Sequence, residues 1–139
     1  MRKMVFGRKF SRGKKAREAL LRSLIRAIVV SGKITTTAAK AKAVSGQIDK
    51  LITLAKESSL AGRRRVLAYL GNDRETVDII FNSVVRAFDG RESGFTRIVP
   101  LPPRRGDAAK MARIEWVEKV IVAGAVKVKD KKAKETIKK

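Results

Sequence analysis

Apolar residues recur at helical spacing in four stretches of the chain. Between Lys14 and Val30, Leu21, Leu24, Ile25 and Ile28 fall on one face while Arg22 and Arg26 stack on another, and Ser31-Gly32 ends the predicted helix. The β-branched run Lys33 to Thr37 predicts a short strand, with Thr37 placed to cap a second helix. In that helix Val44, Ile48, Leu51, Ile52 and Ala55 form the cleanest stripe in the chain, leaving Lys40, Lys50 and Lys56 for other faces, and Ser58-Ser59 breaks it. A third, short helix covers about Leu60 to Leu70 and stops at Gly71. Asn72, with Glu75 three residues later, has the spacing of a capping box and opens a fourth helix, with Val77, Ile80, Phe81, Val84, Val85 and Phe88 on its buried face. Gly90 closes it.

The remaining pattern changes period. Phe95 to Val99 predicts a second strand, ended by Pro100, Pro102 and Pro103. Met111 to Val117 alternates, with Ala112, Ile114 and Trp116 on one side and Arg113 and Glu115 on the other, which predicts a third. Helix, strand, three helices, strand, strand is an α+β order: about four helices packed on a small three-stranded mixed sheet. No internal repeat is visible.

Charge changes the picture more than length does. The 139 residues are 44% hydrophobic, enough for a core, yet carry a net charge of +21. Self-repulsion of that size is tolerated mainly beside a polyanion. The charge is concentrated at the ends. Arg2, Lys3, Arg8, Lys9, Arg12, Lys14, Lys15 and Arg17 come with no acid among the first 17 residues, and residues 127–139 hold seven lysines against Asp130 and Glu135. Nucleic acid and anionic membrane are the two large polyanions available, and the charge divides the chain into a basic N-terminal arm, 1–13, a globular domain, 14–118, and a Lys-rich C-terminal extension, 119–139, read as flexible. A solvated tail is the alternative for either end. It fits the low-complexity C-terminus better than the N-terminal arm, where Phe6, Gly7 and Phe10 interrupt the charges.

Several chemistries are excluded or disfavoured. With no cysteine and no histidine, there is no disulfide, no thiolate or imidazole metal site and no histidine base. There is no phosphate-binding glycine loop or dinucleotide fingerprint, and no catalytic constellation is found. Asp73, Glu75 and Asp78 cluster at a helix start, where acids favour the dipole. Arg105-Gly106-Asp107 is read as a turn. No apolar run approaches the roughly 18 residues of a membrane span, and the basic N-terminus lacks the apolar core of a secretory signal. No catalytic residue, metal, cofactor, small-molecule substrate or membrane partner is expected.

The basic clusters inside the domain fit nucleic acid. Arg63-Arg64-Arg65 lies in the first turns of the third helix, where guanidinium groups match phosphate geometry, with a solvated helix start as the bland alternative. Arg104-Arg105 comes after two prolines, which present both side chains with little freedom to lose. Trp116 and Tyr69 could stack on bases, but both fall in apolar periodicity and are read as core. Phe6 and Phe10 are read as tucking into RNA or a neighbouring protein.

Taken in order, several strings resemble the bacterial large-subunit ribosomal protein seventeen family: Gly7-Arg8-Lys9-Phe10, Ala19 to Leu24, Thr36-Thr37 with Ala39-Lys40-Ala41-Lys42, and Leu51-Ile52-Thr53-Leu54-Ala55-Lys56. Arg63-Arg64, Gly94-Phe95-Thr96-Arg97-Ile98, Gly106-Asp107-Ala108-Ala109 and Met111-Ala112-Arg113-Ile114-Glu115 continue the match. The resemblance implies a small α+β structural protein bound to large-subunit ribosomal RNA. It implies neighbouring ribosomal proteins near the tunnel exit, a place in the cytoplasmic ribosome or an organellar one, and a role in subunit assembly and translation. It also implies that the basic arm belongs to the mature protein and is not a transit peptide. Charge and resemblance together nominate as RNA contacts Arg2, Lys3, Arg8, Lys9 and Arg12 of the arm, Lys14, Lys15, Arg17 and Arg22 of the first helix, and Arg63, Arg64, Arg97, Arg104 and Arg105. Two departures stand out: Lys14-Lys15-Ala16 replaces a frequent Ser-Ser-His, and Lys110 replaces a frequent proline. A histone-like DNA binder, a membrane-active basic peptide precursor and an RNA-modifying enzyme are the rival classes.

Overall fold

The computed structural model describes residues 7–120, so Arg2, Lys3, Phe6 and the lysines of 127–139 lie outside the described residues. Helix α1 (Lys14–Ser31) leads into strand β1 (Lys33–Thr37), and helix α2 (Ala38–Lys56) comes directly after it. Gly32 makes the first corner. Its φ of 74° is the left-handed conformation that glycine adopts without a Cβ penalty, and its N–H donates to the Ile28 carbonyl at 2.8 Å. The expected Thr37 side-chain cap is not made. The Ala38 N–H donates instead to the Lys110 carbonyl at 2.9 Å, tying the start of α2 to the segment entering the third strand.

Helix α3 (Leu60–Tyr69) is capped by Ser59, whose Oγ accepts from the Gly62 N–H at 2.9 Å. The fourth helical stretch departs from the single helix expected. It begins with α4 (Arg74–Ile79), widens into a π-helical turn over Ile80–Val84 and closes with α5 (Val85–Ala87). Four residues overshoot one turn of a 3.6-residue helix by about 40°, and a wider turn takes up that drift. Val77, Ile80, Val84 and Phe88 are all buried as a result, whereas Phe81 and Val85 are only half-buried. The cap is Asp73, not Asn72: the Asp73 carboxylate accepts from the Thr76 N–H, and Asn72 takes a positive φ of 65° in the preceding turn. One residue of slack in a Gly-Asn-Asp turn is enough to hide this from spacing alone.

The sheet has the order β1-β3-β2 and is antiparallel at both pairings, which corrects the mixed sheet expected from the element order. Strand β2 (Thr96–Leu101) and β3 (Met111–Trp116) join through one short connection, which forces them antiparallel. β3 then lies between the other two, with Ile114 opposite both Ile34 and Ile98. β2 runs through Pro100 and does not stop before it. An edge strand tolerates proline, because a residue facing away from its single partner loses no ladder bond.

The helices cover one face of the sheet. Ala112, Ile114 and Trp116 join Ile25, Val29, Val44, Ile48, Ile52, Val66 and Val84 in one core. An aromatic cluster closes one end: Phe88 meets Phe95 edge-on at 5.3 Å and Trp116 at 5.8 Å between ring centroids. The Phe95 N–H donates to Asp49 Oδ1 of α2 at 3.2 Å, which fixes the start of β2. Trp116 is core, as its alternation predicts. Tyr69 is not, being more than a third exposed. Phe10 packs half-buried against the domain's own core.

Gly62 shows how closely α2 and α3 approach. A Cβ built there would stand 2.9 Å from the Leu54 carbonyl oxygen and 3.0 Å from Ser59 Oγ. In an ordinary helix interior Gly→Ala stabilises by about 1 kcal/mol. Here the added methyl meets backbone, and Gly62→Ala should destabilise by about 1–3 kcal/mol instead. Urea unfolding of the variant measures the sign.

Candidate nucleic-acid interface

Two adjoining clefts, of about 570 and 370 Å³, share Arg17, Leu21 and Gln47 and so form one open groove along α1 and α2. Helical spacing along α1 brings Lys14, Arg17, Leu21 and Arg22 to the same side. Arg8 and Phe10 of the arm and Lys42 of α2 line one end, and Tyr69 of α3 lines the other. Five cationic side chains therefore border the groove, from the arm, α1 and α2, against one acid, Glu18. A concave surface of one sign focuses its field on an incoming polyanion. The Arg22 guanidinium lies beside the turn after α3, where a Cβ on Gly71 would stand 3.5 Å from its Nη1.

Of the expected contacts, the structure thus brings together Arg8, Lys14, Arg17 and Arg22. Lys9, Arg12 and Lys15 are exposed on the same arm and first turn, and Arg12 Nη1 donates to the Phe10 carbonyl at 2.9 Å, bracing the arm. Lys42 and Gln47 are groove residues that sequence reasoning missed. They flank the apolar stripe of α2, and nothing in a single-helix pattern says that this flank faces α1.

The remaining arginines behave differently, because several already have acids. Arg63 Nη2 lies 2.5 Å from Asp78 Oδ1, with its guanidinium 5.4 Å from the centre of the Phe81 ring. Arg64 and Arg65 are exposed beside it and form no ion pair among the described residues. Arg104 grips Asp107 through two bonds, Nε at 3.1 Å and Nη2 at 2.5 Å. That guanidinium, with the Ala109 N–H, holds the Asp107 carboxyl down at about 2. Arg105 is exposed on the same loop. Arg97 belongs to the open face of the sheet, where its Nη2 lies 2.7 Å from Glu115 Oε1. Hydrogen bonds from Arg97 hold Glu115 below the usual carboxylate range against the opposing effect of desolvation, and the Arg113 charge adds to the lowering. Arg113 Nε is 2.9 Å from Glu115 Oε2 but out of line for a hydrogen bond.

The acids at the start of α4 have structural partners too. Asp73 accepts from both the hydroxyl and the N–H of Thr76, and Arg26 Nε lies 2.5 Å from its Oδ2. Partial burial raises its pKa, but these donors outweigh it and hold the carboxyl below its ordinary range.

A sheet with one solvated face, a helical layer edged by a cationic groove and arginines fixed by their own acids define a class: a basic, structural nucleic-acid-binding protein of α+β fold. Residues 20–117 match the family model described as ribosomal protein L17. The large ribosomal subunit protein bL17 of Hydrogenobaculum sp. (strain Y04AAS1) is 44% identical over 119 residues, which is 85% of this chain and 100% of that protein. The bL17 protein of Natranaerobius thermophilus is 45% identical over 111 residues, 80% of this chain and 97% of that one. The chain belongs to the ribosomal protein L17 family. Its function is accordingly that of a structural constituent of the large ribosomal subunit, and it is not an enzyme.

Proposed function

We propose that the chain anchors large-subunit ribosomal RNA mainly through the groove between the arm, α1 and α2. The observation that carries this reading is the convergence of Arg8, Lys14, Arg17, Arg22 and Lys42 on one concavity with a single acid. Each cation that meets a phosphate releases a condensed counterion, and that release drives binding. Arg64, Arg65 and Arg105 serve as further phosphate contacts on the α3 start and the β2–β3 loop. Arg63, Arg97 and Arg104 contribute less net charge, because Asp78, Glu115 and Asp107 neutralise them locally. Arg2 and Lys3, outside the described residues, supply two further charges for phosphate, and neighbouring ribosomal proteins near the tunnel exit complete the surroundings. The bacterial relatives support a place in the cytoplasmic ribosome.

Competition during subunit assembly tests the proposal. A triple variant, Arg17→Ala, Arg22→Ala, Lys42→Ala, should enter large subunits at least about tenfold less than tagged wild-type protein. A charge-matched triple variant of the acid-paired set, Arg63→Ala, Arg97→Ala, Arg104→Ala, removes the same net charge away from the groove and should stay within about threefold of wild type, since those guanidinium groups are engaged by Asp78, Glu115 and Asp107. Equal depletion of the two would show that the groove has no special part in binding.

A further inference from the structure

The groove contains one feature that phosphate binding does not use. Tyr69, the only tyrosine in the chain, is more than a third exposed and lines one end, with Arg17 and Arg22. Its hydroxyl donates to Gln47 Oε1 at 2.7 Å. The Gln47 carbonyl is thereby occupied, while its amide N–H groups make no hydrogen bond among the described residues and border both clefts. Burial holds the Tyr69 hydroxyl above its ordinary pKa, against the pull of Arg22, so at neutral pH it remains a phenol that donates.

An aromatic face, free amide donors and guanidinium groups are more than a phosphate rail requires. The regular backbone of an A-form duplex offers phosphates and 2′-hydroxyls, which lysine and arginine alone satisfy. A ring offers a π-face to an unstacked base, and an amide offers donors to the acceptors on that base's edge. Cations at both ends of the groove, Lys14 and Arg22 near the ring and Arg8 and Lys42 at the far end, are placed to hold the flanking phosphates. We infer that the groove takes an unpaired segment of RNA, with one base stacked on Tyr69 and read by Gln47. The inference rests on the RNA reading proposed for the groove and narrows it from ribosomal RNA in general to a single-stranded loop or bulge.

The bland alternative is that Tyr69 merely ties α3 to α2 through its hydroxyl. Tyr69→Phe removes the tie and keeps the ring; Tyr69→Leu removes both. The full-length protein and both variants, checked for folding by circular dichroism, are titrated with a mixed-sequence single-stranded RNA and with an RNA duplex of equal phosphate number. The expected result for the single strand is at least about a fivefold loss with Leu and less than about a twofold loss with Phe, from the size of base–aromatic stacking. Duplex binding should stay within about twofold for both variants. Equal losses on the two RNAs, no loss with Leu, or Phe as damaging as Leu would each overturn the stacking assignment while leaving RNA binding intact. Failure of the wild-type protein to bind either RNA would overturn the RNA reading and this inference with it.

Discussion

Ile48→Asp should abolish the folded state, whereas Lys50→Asp should leave it standing. The two positions are two residues apart on α2, but Ile48 is 2% exposed in the centre of the core and Lys50 faces solvent. The aspartate at 48 would remove an apolar side chain and bury a carboxylate among Val44, Ile52 and the rest of the helical layer, with no cation to meet it. A loss above about 4 kcal/mol is expected, a large part of the 5–15 kcal/mol that holds a typical domain together. At roughly 4 °C per kcal/mol, the melting temperature should fall by more than about 15 °C or the cooperative transition should vanish. Lys50→Asp changes an exposed charge and should move it by no more than about 2 °C, since such changes stay within about 0.5 kcal/mol. Differential scanning calorimetry on both variants reads the contrast. Equal losses would mean that the buried face of α2 has been misassigned.

That contrast also shows why so much of the core was legible. The α2 stripe Val44, Ile48, Leu51, Ile52, Ala55 is buried throughout, as are Ala112, Ile114 and Trp116 on β3, because each pattern is long enough to select one period. The α+β class comes from the order of those elements. The failures have local causes. Strand direction is not written in a strand's own pattern, so the sheet proved antiparallel and not mixed. Pro100 lies inside β2 because the strand is at an edge, a property of topology. The cap moved by one residue to Asp73, and a π-helical turn realigned the α4 face, since neither changes which residue types are present. Tyr69 lies in an apolar run yet reaches the surface at the end of a short helix.

The candidate interface was legible in kind and not in detail. Charge density alone pointed to a polyanion, and Arg8 of the arm does meet Lys14 and Arg17 of α1 in the groove. Acid pairing was not foreseen, because Arg63 finds Asp78 fifteen residues on and Arg97 finds Glu115 across a strand pair. Those pairings separate arginines that look equivalent in sequence into charges that are locally neutralised and charges that are not. Lys42 and Gln47 became visible only when α1 packed beside α2.

Electrostatic anchoring to RNA should show its largest effect in the response to salt. With five cations around the groove and others on the arm and the α3 start, engagement of about six to ten phosphates is expected. The logarithm of the binding constant should then fall against the logarithm of salt concentration with a slope of about −5 to −9. Between roughly 50 and 200 mM salt that is a loss of about 10³- to 10⁵-fold in affinity. A core-packing or purely protein-mediated attachment predicts almost no such dependence. The direct measurement is a salt titration of the full-length protein binding to large-subunit ribosomal RNA. A slope between about −5 and −9 is the result predicted; a slope shallower than about −2 would contradict the electrostatic mechanism.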